Sequence, residues 1–243
     1  MSEILKKIIE ALPDDSAVSD VGIYLHATAV SSLGLGLAYT FPRRLLDGAG
    51  DRMEIVAGGG KLTSFCARDL ARYALSRHLM EASVGVAAIN SLVAPPRGKT
   101  IERNGVDLIM EAAAGRRLAV IGHFPFIERV RPIVKTLWVL ELDPQEGDLP
   151  AAEAPNILPH ADVVAITGTT LINHTIDNLL ELSRGKKIII LGPSTILSPV
   201  LFDFGVSALC GINVVNQELV LRHIKEGGSF RQLPGVKYVS ILS

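Results

Sequence analysis

Three short polar motifs in the second half of the chain carry residue types that bind small anions. They are Gly122-His-Phe-Pro, Thr167-Gly-Thr-Thr and Gly192-Pro-Ser, and each directly follows an apolar run. Hydroxyl and backbone N–H groups donate hydrogen bonds to carboxylates and phosphates, and an imidazole titrates near neutral pH. The motifs therefore predict a small-ligand site at the ends of neighbouring strands.

The threonine motif places three hydroxyls, on Thr167, Thr169 and Thr170, between a predicted strand and a predicted helix. The N-terminus of that helix would add a partial positive charge, and Asn173 extends the polar set into its first turn. Ordinary capping of the helix by Thr169 or Thr170 explains one hydroxyl but not the cluster. We therefore predict that these four residues contact the ligand.

His123 is the candidate catalytic residue, because it follows a buried strand and its imidazole titrates closest to neutral pH. It is predicted either to transfer a proton or to ligate a metal. The alternative is a packing turn in which Phe124 matters more than His123. A metal shared with His174 is a weaker interpretation, since the histidines show no His-Glu-x-x-His spacing. The sequence leaves a metal site open.

Gly192 and Ser194 belong to a second tight strand-to-loop turn. The Gly-x-Ser-x-Gly spacing that makes a serine nucleophilic on this kind of turn does not surround Ser194. We therefore predict that Gly192 and Ser194 both contact the ligand. The alternative for Ser194 is a serine that stabilises the turn, and we predict that it is not a nucleophile.

Gly122 is followed about twenty residues later by Glu141 and Asp143, as in a dinucleotide-binding turn. The second and third glycines of such a turn are missing, and Pro125 removes a backbone donor that a pyrophosphate would need. This pattern argues against NAD or FAD and leaves the identity of any cofactor open.

The order of apolar runs predicts the fold that positions these motifs. Short apolar runs alternate with helical segments, notably 174–184 and 216–226, and the runs begin at Leu118, Leu137, Val163, Lys187, Val206 and Tyr238. Near-continuous apolar strands joined by helices indicate an α/β fold with a doubly wound, mostly parallel sheet. We predict that the Leu118 strand is central, between the Leu137 and Val163 strands.

The first hundred residues follow a different pattern, with strands within 18–40 and then two helices within 63–93, the first capped by Thr63. An amphipathic helix is predicted over residues 1–12. This order indicates an α+β domain. Pro95-Pro-Arg-Gly stops the last helix and marks the boundary, so the predicted domains are 1–97 and 98–243.

Composition narrows the function classes. The 243 residues carry a net charge of −1, which provides no basic surface for nucleic acid. Only two cysteines occur, Cys66 and Cys210, and both lie in apolar segments, which is typical of reduced thiols in a cytosolic protein. Neither a signal peptide nor an apolar run of membrane-spanning length is recognisable. We expect a cytoplasmic protein with neither nucleic-acid nor membrane partners.

The motifs resemble a known family. Gly122-His-Phe-Pro, the run from Ala161 to Thr175, Leu191-Gly-Pro-Ser-Thr with Pro199, and the segment from Gly85 to Asn90 are similar to the putative heavy-metal-chelation proteins of bacteria and archaea. The resemblance covers essentially the whole chain. It implies an N-terminal domain like that of enolase, a Rossmann-like C-terminal domain and a site between them.

Carried onto this chain, the resemblance places seven residues around that site: Asn90, His123, Asp143, Thr169, Thr170, Asn173 and Ser194. The sequence shows no thiolate or histidine cluster of a metal store. We therefore expect a protein that binds a small anionic or metal-chelating organic ligand, such as a metal chelate or its precursor. A reaction on that ligand is the stronger form of this hypothesis. The alternatives are a non-catalytic nucleotide or cofactor sensor and a scaffold without a ligand. Whether the chain is an enzyme, and whether it forms a homodimer, are left open.

Overall fold

A small and a large β-sheet organise the chain in the computed structural model, which describes residues 2–13, 15–41, 56–95 and 100–243. The small sheet is antiparallel and contains β1 (Asp20–Ile23), β2 (Ala27–Ser31) and β3 (Leu35–Tyr39) in that order. Helices α2 (Ala67–Ala71) and α3 (Leu79–Leu92) follow it. The predicted order of strands and then helices is confirmed. Most of the predicted boundary motif, residues 96–98, lies outside the described residues.

Helix α3 is buried on nearly all sides, because small residues let its backbone approach its neighbours. A Cβ added to Gly85 would lie 1.8 Å from the backbone nitrogen of Ala74, and one added to Gly36 of β3 would lie 2.0 Å from the carbonyl oxygen of Ala87. The prediction that Thr63 caps the first helix is wrong. Thr63 lies inside a 3₁₀ turn (Leu62–Ser64), and α2 begins at Ala67 with Cys66 in the cap position.

The predicted N-terminal helix is confirmed as α1 (Glu3–Glu10), whose apolar stripe is buried. Asp177 of the C-terminal half caps it across a long sequence separation. One carboxylate oxygen of Asp177 accepts from the backbone N–H groups of Glu3 and Ile4, at 2.9 and 3.3 Å. Helix α1 therefore ties the start of the chain to the large sheet.

The large sheet has eight strands in the order β4-β11-β10-β9-β8-β5-β6-β7. Their bounds are β4 (Thr100–Ile101), β5 (Arg117–Ile121), β6 (Thr136–Glu141), β7 (Leu149–Pro150), β8 (Val163–Thr167), β9 (Lys187–Leu191), β10 (Val206–Val214) and β11 (Val236–Leu242). All pairings from β10 to β7 are parallel. Strand β5 lies between β6 and β8, as predicted, and the strand order reverses between β5 and β8.

Helices cover both faces of the parallel part of the sheet. On one face, α4 (Gly105–Ala113) and α5 (Ile127–Val130) pack on alternate residues of the strands, including Leu118 and Val120. On the other face, α6 (Ala154–Ile157) and α7 (Ile176–Leu182) share a core that also includes α1 and α3. The apolar core is therefore continuous between the two halves of the chain.

The sheet is mixed, because β11 and β4 pair antiparallel at one edge. Helix α8 (Gln217–Lys225) connects β10 to β11. Its buried residues Val220 and Ile224 belong to a cluster that joins β2 and β3 of the small sheet to β10 of the large sheet.

Candidate functional site

The three polar motifs meet at the carboxyl ends of β5, β8 and β9, beside the point where the strand order reverses. Gly122 and Gly192 end β5 and β9 with φ angles of +104° and +115°, which favour glycine and turn the chain sharply out of the sheet. A Cβ at Gly122 would lie 3.1 Å from Cγ2 of Thr167. The two glycine turns therefore bring the histidine, threonine and serine motifs together, as their positions in the sequence predicted.

A cleft of about 580 Å³ opens above these turns, between the small and the large sheet. Its walls come from the small sheet, the strand-end motifs, the segment after β6 and the segment after α8. Its lining residues include His26, Tyr39, Phe41, His123, Glu141, Asp143, Thr167, Thr169, Ser194, Phe230 and Arg231. A cleft of this size accommodates a small organic molecule.

His123 is held in place by a carboxylate that sequence reasoning missed. Its Nδ1 lies 2.9 and 3.1 Å from the two carboxylate oxygens of Asp148, whose side chain is only 3% exposed. Asp148 is fixed in turn by the backbone N–H of Gln145. Because a carboxylate only accepts hydrogen bonds, Nδ1 is the donor in this contact, and Nε2 is the ring nitrogen left to contact a ligand or a metal.

Charges of both signs line the cleft. Glu141 ends β6 and Asp143 comes shortly after it, and the exposed Arg231 follows α8. Arg231 uses its backbone N–H for a bond to Ser229, and within the described part of the chain its guanidinium has no carboxylate partner. A free guanidinium at a cleft binds carboxylate or phosphate groups through paired hydrogen bonds.

The threonine motif lines the cleft, but the predicted helix N-terminus at this motif is wrong. Residues 168–171 form a 3₁₀ turn capped by Thr167, and α7 begins only at Ile176. Thr167 and Thr169 lie with their hydroxyl oxygens 3.1 Å apart. The buried Thr170 donates its hydroxyl hydrogen to the carbonyl of Thr167, at 2.7 Å. Thr167 and Thr169 therefore offer hydroxyls to a ligand, whereas Thr170 mainly holds the turn.

A smaller inner pocket of about 220 Å³ lies beside the cleft and shares Gly122, Glu141, Leu142, Thr167 and Thr169 with it. Its walls are mostly apolar and come from β5, β6, α6 and α7. Asn173 lines it together with Thr170. The predicted residue Asn173 therefore belongs to this inner pocket.

Ser194 joins the two sheets at the cleft. It is buried, and its hydroxyl accepts a hydrogen bond of 2.9 Å from the backbone N–H of Tyr39 at the end of β3. This bond accounts for the serine without any role as a nucleophile. Ser194 therefore fixes the width of the cleft at the point where the two halves of the chain meet.

The structure does not bring two residues considered from the sequence to the cleft. The side-chain amide of Asn90 donates to the carbonyl of Leu37, and Asn90 lines a separate pocket of about 30 Å³ on the far side of Pro193. His174 has a φ of +61° and its Nε2 lies 2.8 Å from the carbonyl oxygen of Ala74. His174 thus contacts the N-terminal half and does not pair with His123.

Sequence reasoning missed Asp148, His26, Tyr39 and Arg231. Asp148 lies in a short polar loop, and no spacing relates it to His123. His26 was taken as a surface or structural residue, and it faces the cleft only because β2 and β3 fold over the large sheet. Arg231 follows α8, and its position depends on α8 packing against the small sheet. Each omission therefore traces to a contact between distant segments.

The described residues do not form a metal centre of their own. Within residues 2–13, 15–41, 56–95 and 100–243, no three His, Cys, Asp or Glu side chains come together as a group that could hold a metal ion. Cys210 is buried, and burial raises the pKa of its thiol to about 11, far above that of a ready thiolate ligand. None of the helices in these ranges is both long and apolar enough to span a bilayer.

Two family models match the chain, and both are described as "putative heavy-metal chelation". One matches residues 104–242 and the other matches residues 5–93. Together they include every motif on which the resemblance was based.

Relatives with this fold are known from bacteria and archaea. An uncharacterised protein of Methanocaldococcus jannaschii is 29% identical over 161 residues, which make up 62% of this chain and 61% of that relative. The crystal structure of a protein of unknown function from Desulfitobacterium hafniense has a TM-score of 0.87 at 30% identity and covers 99% of this chain and 98% of its own. A protein of unknown function from Pyrococcus horikoshii, at 23% identity and a TM-score of 0.79, covers the same shares and shows the fold alone.

Proposed function

Because the chain belongs to the family described as "putative heavy-metal chelation", as its motifs predicted, we propose that it binds a small, metal-chelating organic anion in the cleft between its two sheets. The observation that carries the proposal is the convergence of Arg231, the His123–Asp148 pair and the hydroxyls of Thr167 and Thr169 on one cleft. Carboxylate groups of a chelator would be bound by the guanidinium and the hydroxyls.

In this proposal the ligand brings the metal, and the protein contributes few ligands of its own. His123 is the side chain best placed to contact a metal held by a chelator, since Asp148 orients the ring and leaves Nε2 available. The same nitrogen is the group that would accept a proton from the ligand if a reaction follows binding. Asp143, Glu141 and Ser194 complete the cleft, and Asn90 is not part of the proposed site.

We also propose the finer architecture that the resemblance implies. The N-terminal half would be enolase N-terminal-like, the C-terminal half would be Rossmann-like, and the boundary would fall at residues 97 and 98. The reversal of strand order between β5 and β8 supports the second assignment, because ligands of such sheets bind at that position. A cytoplasmic location is supported by two free cysteines, Cys66 and Cys210.

Calorimetric titration with iminodiacetate tests the proposed function, because this small chelator carries two carboxylates and binds divalent metals. We expect binding of the free and the nickel-loaded chelator. Replacing Arg231 with Gln should weaken the binding of both forms about tenfold, since a charge-assisted hydrogen bond contributes about 1.5–3 kcal/mol. Arg222→Gln is the matched control, because Arg222 is an exposed arginine of α8 that pairs with Glu218.

His123→Gln should weaken the nickel-loaded form more than the free form, because the substitution removes a metal ligand but keeps a hydrogen-bonding side chain. His160→Gln controls for capture of nickel by an exposed histidine outside the cleft. If neither form binds the wild-type protein, the proposed function is wrong. The nucleotide-sensor alternative stays a prediction, and ATP and NAD in the same titration test it.

A further inference from the structure

The inner pocket beside the cleft has the walls of a site for an apolar group. Leu140, Ala154 and Leu179 are each no more than 6% exposed and line it together with Ile121 and Pro155. Burying apolar ligand surface against such walls is favourable, at about 25 cal/mol per Å².

The volume of the inner pocket limits what it can hold. A dry protein cavity of about 150 Å³ accommodates a benzene ring. The inner pocket measures about 220 Å³. It therefore fits one six-membered ring with a small substituent, and it is too small for a long chain or a large fused ring system.

Besides the hydroxyls of Thr167 and Thr169, the inner pocket presents the side-chain amide of Asn173 to a ligand. Asn173 uses its side-chain oxygen to accept from the backbone N–H and the hydroxyl of Thr175, at 3.2 and 2.7 Å. These bonds fix the orientation of the amide, and its NH₂ group donates to no acceptor among the described residues. A ring that carries an acceptor atom or a carbonyl oxygen would satisfy this donor.

The inner pocket adjoins the cleft, since Gly122, Thr167 and Thr169 line both. One molecule can therefore place an apolar group in the inner pocket and an anionic group beside Arg231 and His123. We infer that the natural ligand is an organic acid with two parts, a single compact ring held by the inner pocket and a carboxylate or phosphate head bound in the cleft. This inference rests on the proposed function and specifies the class of its ligand.

The test compares iminodiacetate with N-benzyliminodiacetate, which adds one ring to the same chelating head. We expect the benzyl compound to bind at least tenfold more tightly to the wild-type protein in calorimetric titrations, because the ring is removed from water. In NMR spectra of the complex, the ring protons should show contacts to methyl groups of Leu140 and Leu179. Equal affinities, or ring contacts elsewhere, would overturn the inference.

Substitutions that fill the inner pocket provide the second arm. Ala154→Leu should abolish the advantage of the benzyl compound while leaving the affinity for iminodiacetate unchanged. Ala152 lies at the exposed rim of the inner pocket, and Ala152→Trp should also abolish the advantage of the benzyl compound. This variant replaces Ala154→Leu in the test if Ala154→Leu does not fold. Ala11→Leu, at an exposed position after α1, is the matched control and should change neither affinity.

The outcomes separate the two levels of the proposal. If neither compound binds, the proposed function fails, and the ligand class fails with it. If both bind with the same affinity and the filled variants behave like wild type, the cleft is a site for anions but the inner pocket does not hold a ring. A selective loss of the benzyl advantage in both filled variants supports the inference.

Discussion

The small sheet and α3 pack through small residues, whereas the large sheet packs through branched side chains on both of its faces. In the N-terminal half, Gly36 and Gly85 let backbones approach so closely that no Cβ would fit. In the C-terminal half, consecutive strand residues such as Val120 and Ile121 point to opposite faces of the sheet and pack in two different apolar clusters. The first kind of packing depends on particular atoms, and the second tolerates substitutions of similar volume.

This difference is relevant to function because the cleft lies where the two kinds of packing meet. Its floor is the rigid end of the parallel sheet, and one wall is the small sheet with Tyr39 and Phe41. The position of that wall depends on the close packing of β3 against α3. Substitutions that separate β3 from α3 should therefore alter the cleft without touching the residues of the large sheet.

The largest effect is expected at the closest backbone approach. Gly85→Ala should lower the free energy of unfolding by about 3 kcal/mol, because the new methyl group overlaps the backbone of Ala74 and forces the helices apart. Chemical denaturation measures this change. Gly34→Ala is the control, since its Cβ would lie an ordinary 3.6 Å from the nearest heavy atom. A cost of Gly85→Ala no greater than that of the control would contradict the account of close packing.

The same contrast explains how much of the fold was predictable. Five of the six parallel strands, all but the two-residue β7, were predicted because a strand buried on both faces gives a continuous apolar run, such as Ile188 to Leu191. The antiparallel pairing of β11 was not predicted, because an apolar run in the sequence does not encode the direction in which its strand runs. Helix ends were less predictable, as at Thr63, because a 3₁₀ turn and a helix share the same residue preferences.

The candidate site divides in the same way. His123, Thr167 and Thr169 were predictable because they lie at or just beyond the ends of strands, and the strand order places these ends together. Asp148 and Arg231 were not predictable, because loops and a helix on the small sheet bring them to the cleft. The sequence therefore predicted the floor of the cleft, and the structure added its walls.

A second substitution tests whether the two halves unfold together. Ile224 is buried on α8 in a cluster with residues of β2 and β3, so Ile224→Ala should cost about 2 kcal/mol through loss of buried surface and an unfilled cavity. Hydrogen exchange should become faster in β2, β3 and α8 alike. Leu219→Ala, on an exposed position of the same helix, should cost little. Faster exchange confined to α8 would show that the halves are independent.

A smaller effect is expected at the hydrogen bond that joins the sheets. Ser194→Ala leaves the backbone N–H of Tyr39 without its acceptor, which should cost about 1–2 kcal/mol in denaturant unfolding. Iminodiacetate binding should also weaken, because Tyr39 and Ser194 line the same cleft. Ser243→Ala replaces a serine at an exposed position and provides the comparison. Unchanged stability would mean that other contacts fix the distance between the sheets.

The smallest effect is expected from an ion pair that belongs to the large sheet alone. Arg117, at the start of β5, donates from its side chain and its backbone N–H to Asp162, directly before β8, with the shortest contact at 2.6 Å. These hydrogen bonds hold the pKa of the Asp162 carboxyl well below its usual range, and the bond from the Arg117 side chain lowers it most. A carboxyl whose pKa is lowered by folding stabilises the folded state above its unfolded pKa of about 3.9.

That stabilisation is lost as the pH falls through the folded pKa. Asp162→Asn should therefore lower the melting temperature slightly at pH 7, and its difference from wild type should narrow as the pH falls from 4 to 2. Salt should narrow the difference in melting temperature as well, because both side chains are partly exposed.

Two spectroscopic signals follow this unfolding. Trp138, the single tryptophan, lies in β6 and reports on the large sheet, while far-UV circular dichroism reports on the whole chain. Because the core is continuous, both signals should shift together. A shift of the tryptophan signal alone would mean that the small sheet unfolds separately, despite its contacts with α8 and Ser194.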